Sequence, residues 1–180
     1  MSPRIQPVQP PFPEFAAKVF ERLMPPGVPP LTLFTTLAHD ERLFSRFMAG
    51  GLLDKGNLTM RQREIVIHRI TARCKSEYEW GVHMALFADR VGFTPAQRRA
   101  LLHGAANDVA WSDPVERALI AYCDELNDAC EVSDAHWSAL RAHLGEPAML
   151  EVTMLCGYYR MVSYMTNALK LRPEPYASRF

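Results

Sequence analysis

Residues 59–83 read TMRQREIVIHRITARCKSEYEWGVH, and this stretch decides the fold of the chain. Its pattern predicts a helix, a break at about residues 74–75, and a second helix. Glu79 and His83 are four residues apart and therefore share one helical face, while Glu64 lies on the preceding helix. Two carboxylates and an imidazole can thus converge. Such a group can hold and move protons near neutral pH, provided burial and neighbouring charges tune the pKa values.

Helix signals continue on both sides of this stretch. Four segments match the capping box, in which two side chains satisfy backbone donors left free at a helix start: Thr59-x-x-Gln62, Ser76-x-x-Glu79, Thr94-x-x-Gln97 and Asp113-x-x-Glu116. Prolines at 95 and 114 stand at the first helical position, where a missing N–H costs nothing. Gly145 is a predicted helix C-cap. A long apolar helix is predicted from Pro147 to about Leu169.

The N-terminal thirty residues are rich in proline, which removes backbone donors and fixes φ. Only a short helix near Glu14 to Leu23 is expected there. No segment shows the signals of a β-strand. The sequence therefore predicts an all-α helical bundle, with a proline-rich arm over residues 1–30 and a helical domain over residues 31–180.

Composition narrows the possible partners and locations. The 180 residues fit one domain, and 48 % of them are hydrophobic, as in globular proteins. Twenty Lys and Arg balance twenty Asp and Glu, so no net field would hold nucleic acid or an anionic membrane. No apolar run approaches the roughly 20 residues of a membrane span, and the N-terminus has no apolar signal core. We expect a cytoplasmic protein.

The cysteines and histidines do not form a metal or redox motif. Four cysteines show no C-x-x-C and no zinc-type spacing, so they are interpreted as reduced core thiols. The strings Glu64-x-x-x-His68 and Glu79-x-x-x-His83 are one residue longer than the E-x-x-H of di-iron bundles. No metal is expected, and His68 is interpreted as incidental.

The spacing resembles that of the alkylhydroperoxidase-D-like superfamily, in which a Glu is followed after eleven residues by Cys-x-x-Cys and after three more by a His. In this chain the register is Glu64, eleven residues, Ser76, two residues, Glu79, three residues and His83. Both redox cysteines are replaced. The string Tyr-Glu-Trp-x-x-His at this point is similar to the carboxymuconolactone decarboxylase family. The similarity covers roughly residues 30–170, including GLLDKGNL at 51–58 and GYYRM at 157–161.

The resemblance implies a helical fold that assembles into trimers or hexamers, with an active site between the two motif helices. The implied reaction is decarboxylation of a carboxylated unsaturated lactone of aromatic catabolism, without a cofactor. Such a site must stabilise a developing enolate and deliver a proton to carbon. His83 is the predicted proton donor, and Glu64 and Glu79 would orient it and tune its pKa. Arg69 and Tyr78 are the predicted substrate-binding residues.

Each of these residues also has a simpler interpretation. Glu79 can act only as a helix cap, His83 can be a satisfied histidine between helices, and Glu64 can be an exposed first-turn carboxylate. Arg69 can be a structural ion-pair partner, and Tyr78 and Trp80 can be packing residues.

Two other functions remain open: chemistry on a different small ring compound, and a catalytically silent binding or assembly protein. A thiol peroxidase is not expected, because Cys74 is two residues out of register and has no resolving partner.

Overall fold

The computed structural model describes residues 2–25, 27–52 and 54–180. Over these ranges the chain forms nine α-helices and no β-strand, which confirms the predicted all-α class. The helices are α1 Glu14–Leu23, α2 Thr32–Leu37, α3 Glu41–Gly50, α4 Met60–Arg73, α5 Glu77–Phe87, α6 Pro95–His103, α7 Pro114–Ala129, α8 Asp134–Arg141 and α9 Glu146–Ala168. None of the helices described here is long and apolar enough to cross a membrane.

Helix α4 is the centre of the bundle. Nine successive residues, 64–72, are buried, and the helix contacts α5, α6, α7 and α9. A helix covered on every side needs apolar residues all round, and the segment IVIHRITA meets this need only in part. The polar residues of the buried run 64–72, among them Glu64, His68 and Arg69, must therefore find partners inside the protein.

The core has two parts. The first lies around α4, α7 and α9 and includes Ile67, Trp111, Leu119 and Val152. The second is formed by the N-terminal helices against α5 and the end of α9, with Phe44 near its middle. The proline-rich arm packs into this second cluster through α1, whose Ala16 and Phe20 are buried.

The predicted helix starts were right at most positions. Complete capping boxes are present at Thr59 and Thr94, and Asp113 caps α7 through the backbone N–H of Val115. Ser76 differs from the prediction, because its side chain makes no cap hydrogen bond and instead lies 2.8 Å from Thr166 Oγ1. Glu79 is therefore free of the capping role. Gly145 is also corrected: it is the N-cap of α9 and not a C-cap.

The turn between α4 and α5 sets the angle of the two motif helices. Cys74 ends α4, and Lys75 adopts a left-handed conformation with φ of 55°. The backbone N–H of Ser76 returns to the carbonyl of Thr71 at 2.8 Å, which closes the turn. Helix α5 thereby folds back along α4, and its first turns face the buried Glu64.

The last residues of the described chain run along α5. The backbone N–H of Ser178 donates to the carbonyl of Gly81 at 3.1 Å, and the Phe180 ring packs edge-on against Trp80. A Cβ on Gly81 would lie 2.2 Å from the Ser178 carbonyl oxygen, so only glycine admits this close approach. This C-terminal tail, residues 170–180, brings Tyr176 to the pocket described next.

Candidate functional site

A pocket of about 600 Å³ opens between α5, α9 and the N-terminal helices. Most of its wall is apolar. Aliphatic side chains come from both halves of the chain, among them Leu23, Leu31, Leu33, Val82, Leu86 and Val162. Aromatic side chains complete the wall at Phe34, Phe47, Phe87, Tyr158 and Tyr176. The polar lining includes Glu79, His83, Tyr159 and Arg90, so the pocket combines an apolar body with a few polar groups, as small-molecule sites do.

The predicted carboxylates and imidazole do meet at this pocket. Glu64 Oε2 on α4 lies 2.9 Å from His83 Nδ1 on α5. The Glu64 side chain is only 2 % exposed and that of His83 is 12 % exposed. Glu64 is thus a buried group behind the histidine and not the exposed first-turn carboxylate that was the alternative. His83 forms part of the pocket wall with its other nitrogen.

That second nitrogen, His83 Nε2, lies 3.4 Å from Glu79 Oε1 and 3.2 Å from the hydroxyl of Tyr159 on α9. Glu79 Oε2 is buried and has no hydrogen-bond partner among the residues that the structure describes. We name Glu64, His83, Glu79 and Tyr159 the proton-transfer group, after the role that we propose for them below. The group extends from the buried Glu64 on α4 to Glu79 and Tyr159 at the pocket wall. Glu79 Oε2 is its oxygen without a hydrogen-bond partner in the described residues.

Electrostatics keep the histidine charged. Burial alone would lower the pKa of His83, but the Glu64 and Glu79 carboxylates outweigh it and raise this pKa from 6.5 to about 10. Burial would raise the pKa of Glu64, but the interaction with His83 prevails and lowers it. An imidazolium–carboxylate pair is therefore the state at neutral pH. His83 then donates from Nδ1 to Glu64 and from Nε2 toward Glu79 and Tyr159.

His68 supports Glu64 from behind. It is fully buried, and its Nδ1 lies 2.6 Å from the backbone carbonyl oxygen of Glu64 and 3.6 Å from Glu64 Oε2. Burial lowers the pKa of His68 to about 4, so this ring is neutral and its Nδ1–H donates to the carbonyl. From the sequence, His68 was interpreted as incidental; in the structure it packs against Glu64, the side chain that bonds to His83.

Arg69 lies elsewhere. Its guanidinium bonds to both oxygens of Asp124 on α7, at 2.5 and 2.7 Å, and to backbone carbonyls of residues 100–104 at the end of α6. These contacts use all of its N–H donors, and the side chain is 2 % exposed. Arg69 is therefore a structural ion-pair partner, and no donor is left for a substrate carboxylate.

Tyr78 is also structural in this arrangement. Its hydroxyl donates to Glu174 Oε1 at 2.5 Å and accepts from the backbone N–H of Leu33 at 3.0 Å. The side chain thereby links α5 to α2 and to the C-terminal tail, and it is absent from the described pocket lining. Trp80 packs against Phe180, as the packing interpretation predicted.

Besides the apolar wall, two polar side chains of the pocket were not found from the sequence. Tyr159 belongs to the GYYRM segment, but nothing in that segment shows which tyrosine points at α5. Arg90 comes after the end of α5, where sequence spacing alone gives no sign of a pocket. Among the residues that the structure describes, no set of three or more His, Cys, Asp or Glu side chains is arranged to hold a metal ion.

Solved structures show what this architecture is similar to. A peroxidase-related protein from Silicibacter sp. TM1040 superposes with a TM-score of 0.80 at 20 % identity, over 98 % of this chain and 95 % of that one. The AhpD core protein from Ralstonia eutropha JMP134, also peroxidase-related, gives a TM-score of 0.74 at 22 % identity, over 95 % and 93 % of the two chains. The chain has the alkylhydroperoxidase-D-like fold.

The same fold is shared with an enzyme of different chemistry. A variant of the debrominase Bmp8, in complex with 2,3,4-tribromopyrrole, gives a TM-score of 0.74 at 14 % identity, over 98 % of this chain and 94 % of that one. No protein-family model and no curated protein matches the chain. The alkylhydroperoxidase-D-like fold thus fixes the scaffold, and the function must be argued from the site.

Proposed function

We propose that this protein is an enzyme that transfers protons on a small, largely apolar ring compound without a cofactor, as a decarboxylase or an isomerase. The observation that carries the proposal is the proton-transfer group at the wall of the pocket: Glu64, His83, Glu79 and Tyr159 are joined within 3.4 Å at each step. A structural histidine would not need two carboxylates, one of them with an unpartnered oxygen beside a cavity.

Because His83 is charged, we propose that it donates a proton to the substrate. Because its pKa is about 10, the imidazolium persists at neutral pH and acts as a donor. In a decarboxylation, the bond from carbon to the departing CO2 breaks and its electron pair moves into a neighbouring carbonyl as an enolate. His83 Nε2–H would then protonate the carbon, and solvent would return a proton to His83. The negative charge passes with the electron pair to the enolate and is cancelled when carbon takes the proton of the imidazolium. The apolar wall favours the overall step, because a carboxylate and an imidazolium become neutral products.

An isomerisation would use the same residues in a different order. Glu79 Oε2 would remove a proton from carbon, and His83 with Tyr159 would stabilise the enolate oxygen until the proton is returned elsewhere on the ring. Burial raises the pKa of Tyr159 well above its usual range, so its hydroxyl stays protonated and can donate. Both reactions need the Glu64–His83 pair in its ionic form.

The carboxylated muconolactone of the carboxymuconolactone decarboxylase family is the first substrate to test. Purified protein would be incubated with it and followed for CO2 release, beside His83→Gln and the exposed control His143→Gln. We expect His83→Gln to lose about 10² to 10⁴-fold in turnover and the control to lose none. Equal turnover by both variants would contradict the proposal. Saturable binding by the wild type of every lactone tried, without conversion, would favour the binding-protein alternative.

We also propose that the protein assembles with itself, as a trimer or hexamer. One face of α9 carries large apolar side chains in solvent: Leu150 is 66 % exposed, Met154 is 61 % exposed and Tyr164 is 57 % exposed. They recur at helical spacing on a 23-residue helix, and Gly157 between them would meet nothing within 4 Å if it carried a Cβ. A continuous apolar stripe of this kind is typical of a protein interface.

A further inference from the structure

The pocket has a cation at some distance from the proton-transfer group. Arg90 is exposed, and it is the only Lys or Arg among the lining residues that the structure describes. Nothing in the proposed proton transfer uses it. A guanidinium beside an otherwise apolar wall is a natural partner for a carboxylate, because its forked donors match the two oxygens.

Phe87 contacts both His83 and Arg90. The rings of His83 and Phe87 are stacked with centroids 5.2 Å apart, and the Arg90 guanidinium carbon lies 5.6 Å from the Phe87 centroid. The bond from the backbone N–H of Val91 to the Phe87 carbonyl continues the helical turn past the end of α5. These two contacts place the Arg90 guanidinium carbon at most about 11 Å from the centre of the His83 ring.

Arg90 is also available to a ligand. It makes no ion pair with any residue in the described ranges, and its acidic neighbour Asp89 is bound to Arg98. Arg63, whose charge acts on Glu64 and Tyr159, donates to the backbone carbonyls of residues 51–52 and is not part of the lining. A bound anion would therefore find one unpaired guanidinium at the wall.

The charges of the pocket are unequal along its length. The charges of Glu64, Glu79 and His83 already pair with one another at the inner end, whereas Arg90 at the exposed end has no ion-pair partner in the described ranges. We infer that the pocket recognises an amphiphilic carboxylate, with its apolar body against the aliphatic and aromatic wall and its carboxylate on Arg90, within about 11 Å of His83. This recognised carboxylate is separate from any carboxylate that reacts at His83; only this last clause rests on the proposed function.

Binding of a matched probe pair tests the inference without turnover. We would measure the Kd of 4-phenylbutyrate and of 4-phenylbutan-1-ol by calorimetry at pH 7.5, with acetate as an anion that lacks the apolar body. The wild type is expected to prefer the carboxylate about 5- to 10-fold, the size of a partly exposed charge-assisted contact. Arg90→Gln should reduce this preference to within about 2-fold and leave the alcohol unaffected, with Arg90→Lys in between. Arg99→Gln, an exposed arginine outside this pocket, should behave as the wild type.

Three results would overturn the inference: no binding of either phenyl probe, equal binding of both by the wild type, or an undiminished preference in Arg90→Gln. If acetate bound as tightly as 4-phenylbutyrate, the inferred contact between the ligand's apolar body and the pocket wall would be wrong. A failure of the proposed function can be distinguished from a failure of this inference. If the carboxylate preference depends on Arg90 but His83→Gln turns over as the wild type does, the recognition stands and the proton donor does not.

Discussion

Replacing Glu64 by Gln keeps the shape of the side chain behind His83 and removes its charge. Oε2 of Glu64 and Nδ1 of His83 are 2.9 Å apart, and both side chains are almost fully covered. Two unit charges about 4 Å apart at an effective dielectric constant near 20 attract by about 4 kcal/mol, which corresponds to about three pKa units. Burial lowers the pKa of His83, and Glu64 together with Glu79 raises it to about 10, so the loss of the Glu64 charge alone removes about three units of this pKa. We therefore expect His83 to be neutral at pH 7.5 in Glu64→Gln.

The same change predicts how stability depends on pH. In the wild type the pKa of His83 is higher in the folded than in the unfolded state, so its contribution is complete below about pH 6.5 and is lost as the pH rises toward 10. The variant lacks this contribution at every pH. Glu64→Gln should thus lower the free energy of unfolding by about 3 kcal/mol at pH 6.5 and by steadily less at pH 8 and above.

Two measurements check this reasoning. Urea unfolding followed by circular dichroism at pH 6.5, 8 and 10 gives the stability difference, with the exposed Glu131→Gln as control. NMR titration of the histidine rings gives the pKa of His83 directly. A stability difference that stays constant from pH 6.5 to 10, or a wild-type His83 that titrates near 6.5, would refute the ion pair and with it the cationic proton donor.

Four further results are expected. Arg69→Met breaks a buried ion pair outside the pocket. It should lower the free energy of unfolding, measured by urea denaturation, by about 3 kcal/mol and leave KM unchanged. A higher KM at full stability would contradict this. Replacing all four cysteines by Ala or Ser should leave turnover within a few-fold, and a large loss in a folded variant would count against thiol-free chemistry. Gly81→Ala should displace the Ser178 backbone and speed hydrogen exchange in the C-terminal tail, whereas unchanged exchange would mean that the tail is held elsewhere. Leu150→Glu with Met154→Glu should convert an assembly into 20.4 kDa particles by light scattering, and a wild type already of that mass would exclude the proposed oligomer.

Local signals explain why the helices were predictable. The capping boxes at Thr59 and Thr94 act within four residues, so their outcome is independent of the rest of the fold. Ser76 has the same local pattern, but its burial against Thr166 on α9 prevails over the cap. Gly145 was misassigned for a related reason, since α8 ends four residues before it, at Arg141, and the short connection makes it the start of α9.

The site was predictable only where it depends on spacing within one motif. Glu64, Glu79 and His83 meet because helical periodicity and one turn place them together. Tyr159 and Arg90 belong to the site through the packing of α9 and the N-terminal helices against α5, which no local pattern encodes. Arg69 shows the reverse case. It lies within the motif, yet its helical position turns it toward Asp124 on α7.

The pocket is built from two kinds of structure, and this division affects how the protein can evolve. His83 and Glu79 stand on a helix packed against the central core, where most substitutions would cost stability. Much of the opposite wall comes from residues 23–25, 28–34 and 47–51, among them several partly exposed side chains near helix ends. Mutations there can change the shape of the cavity at little cost in stability. Proteins that share this scaffold can therefore acquire new ligands through substitutions in the N-terminal wall while His83, the proposed proton donor, stays unchanged.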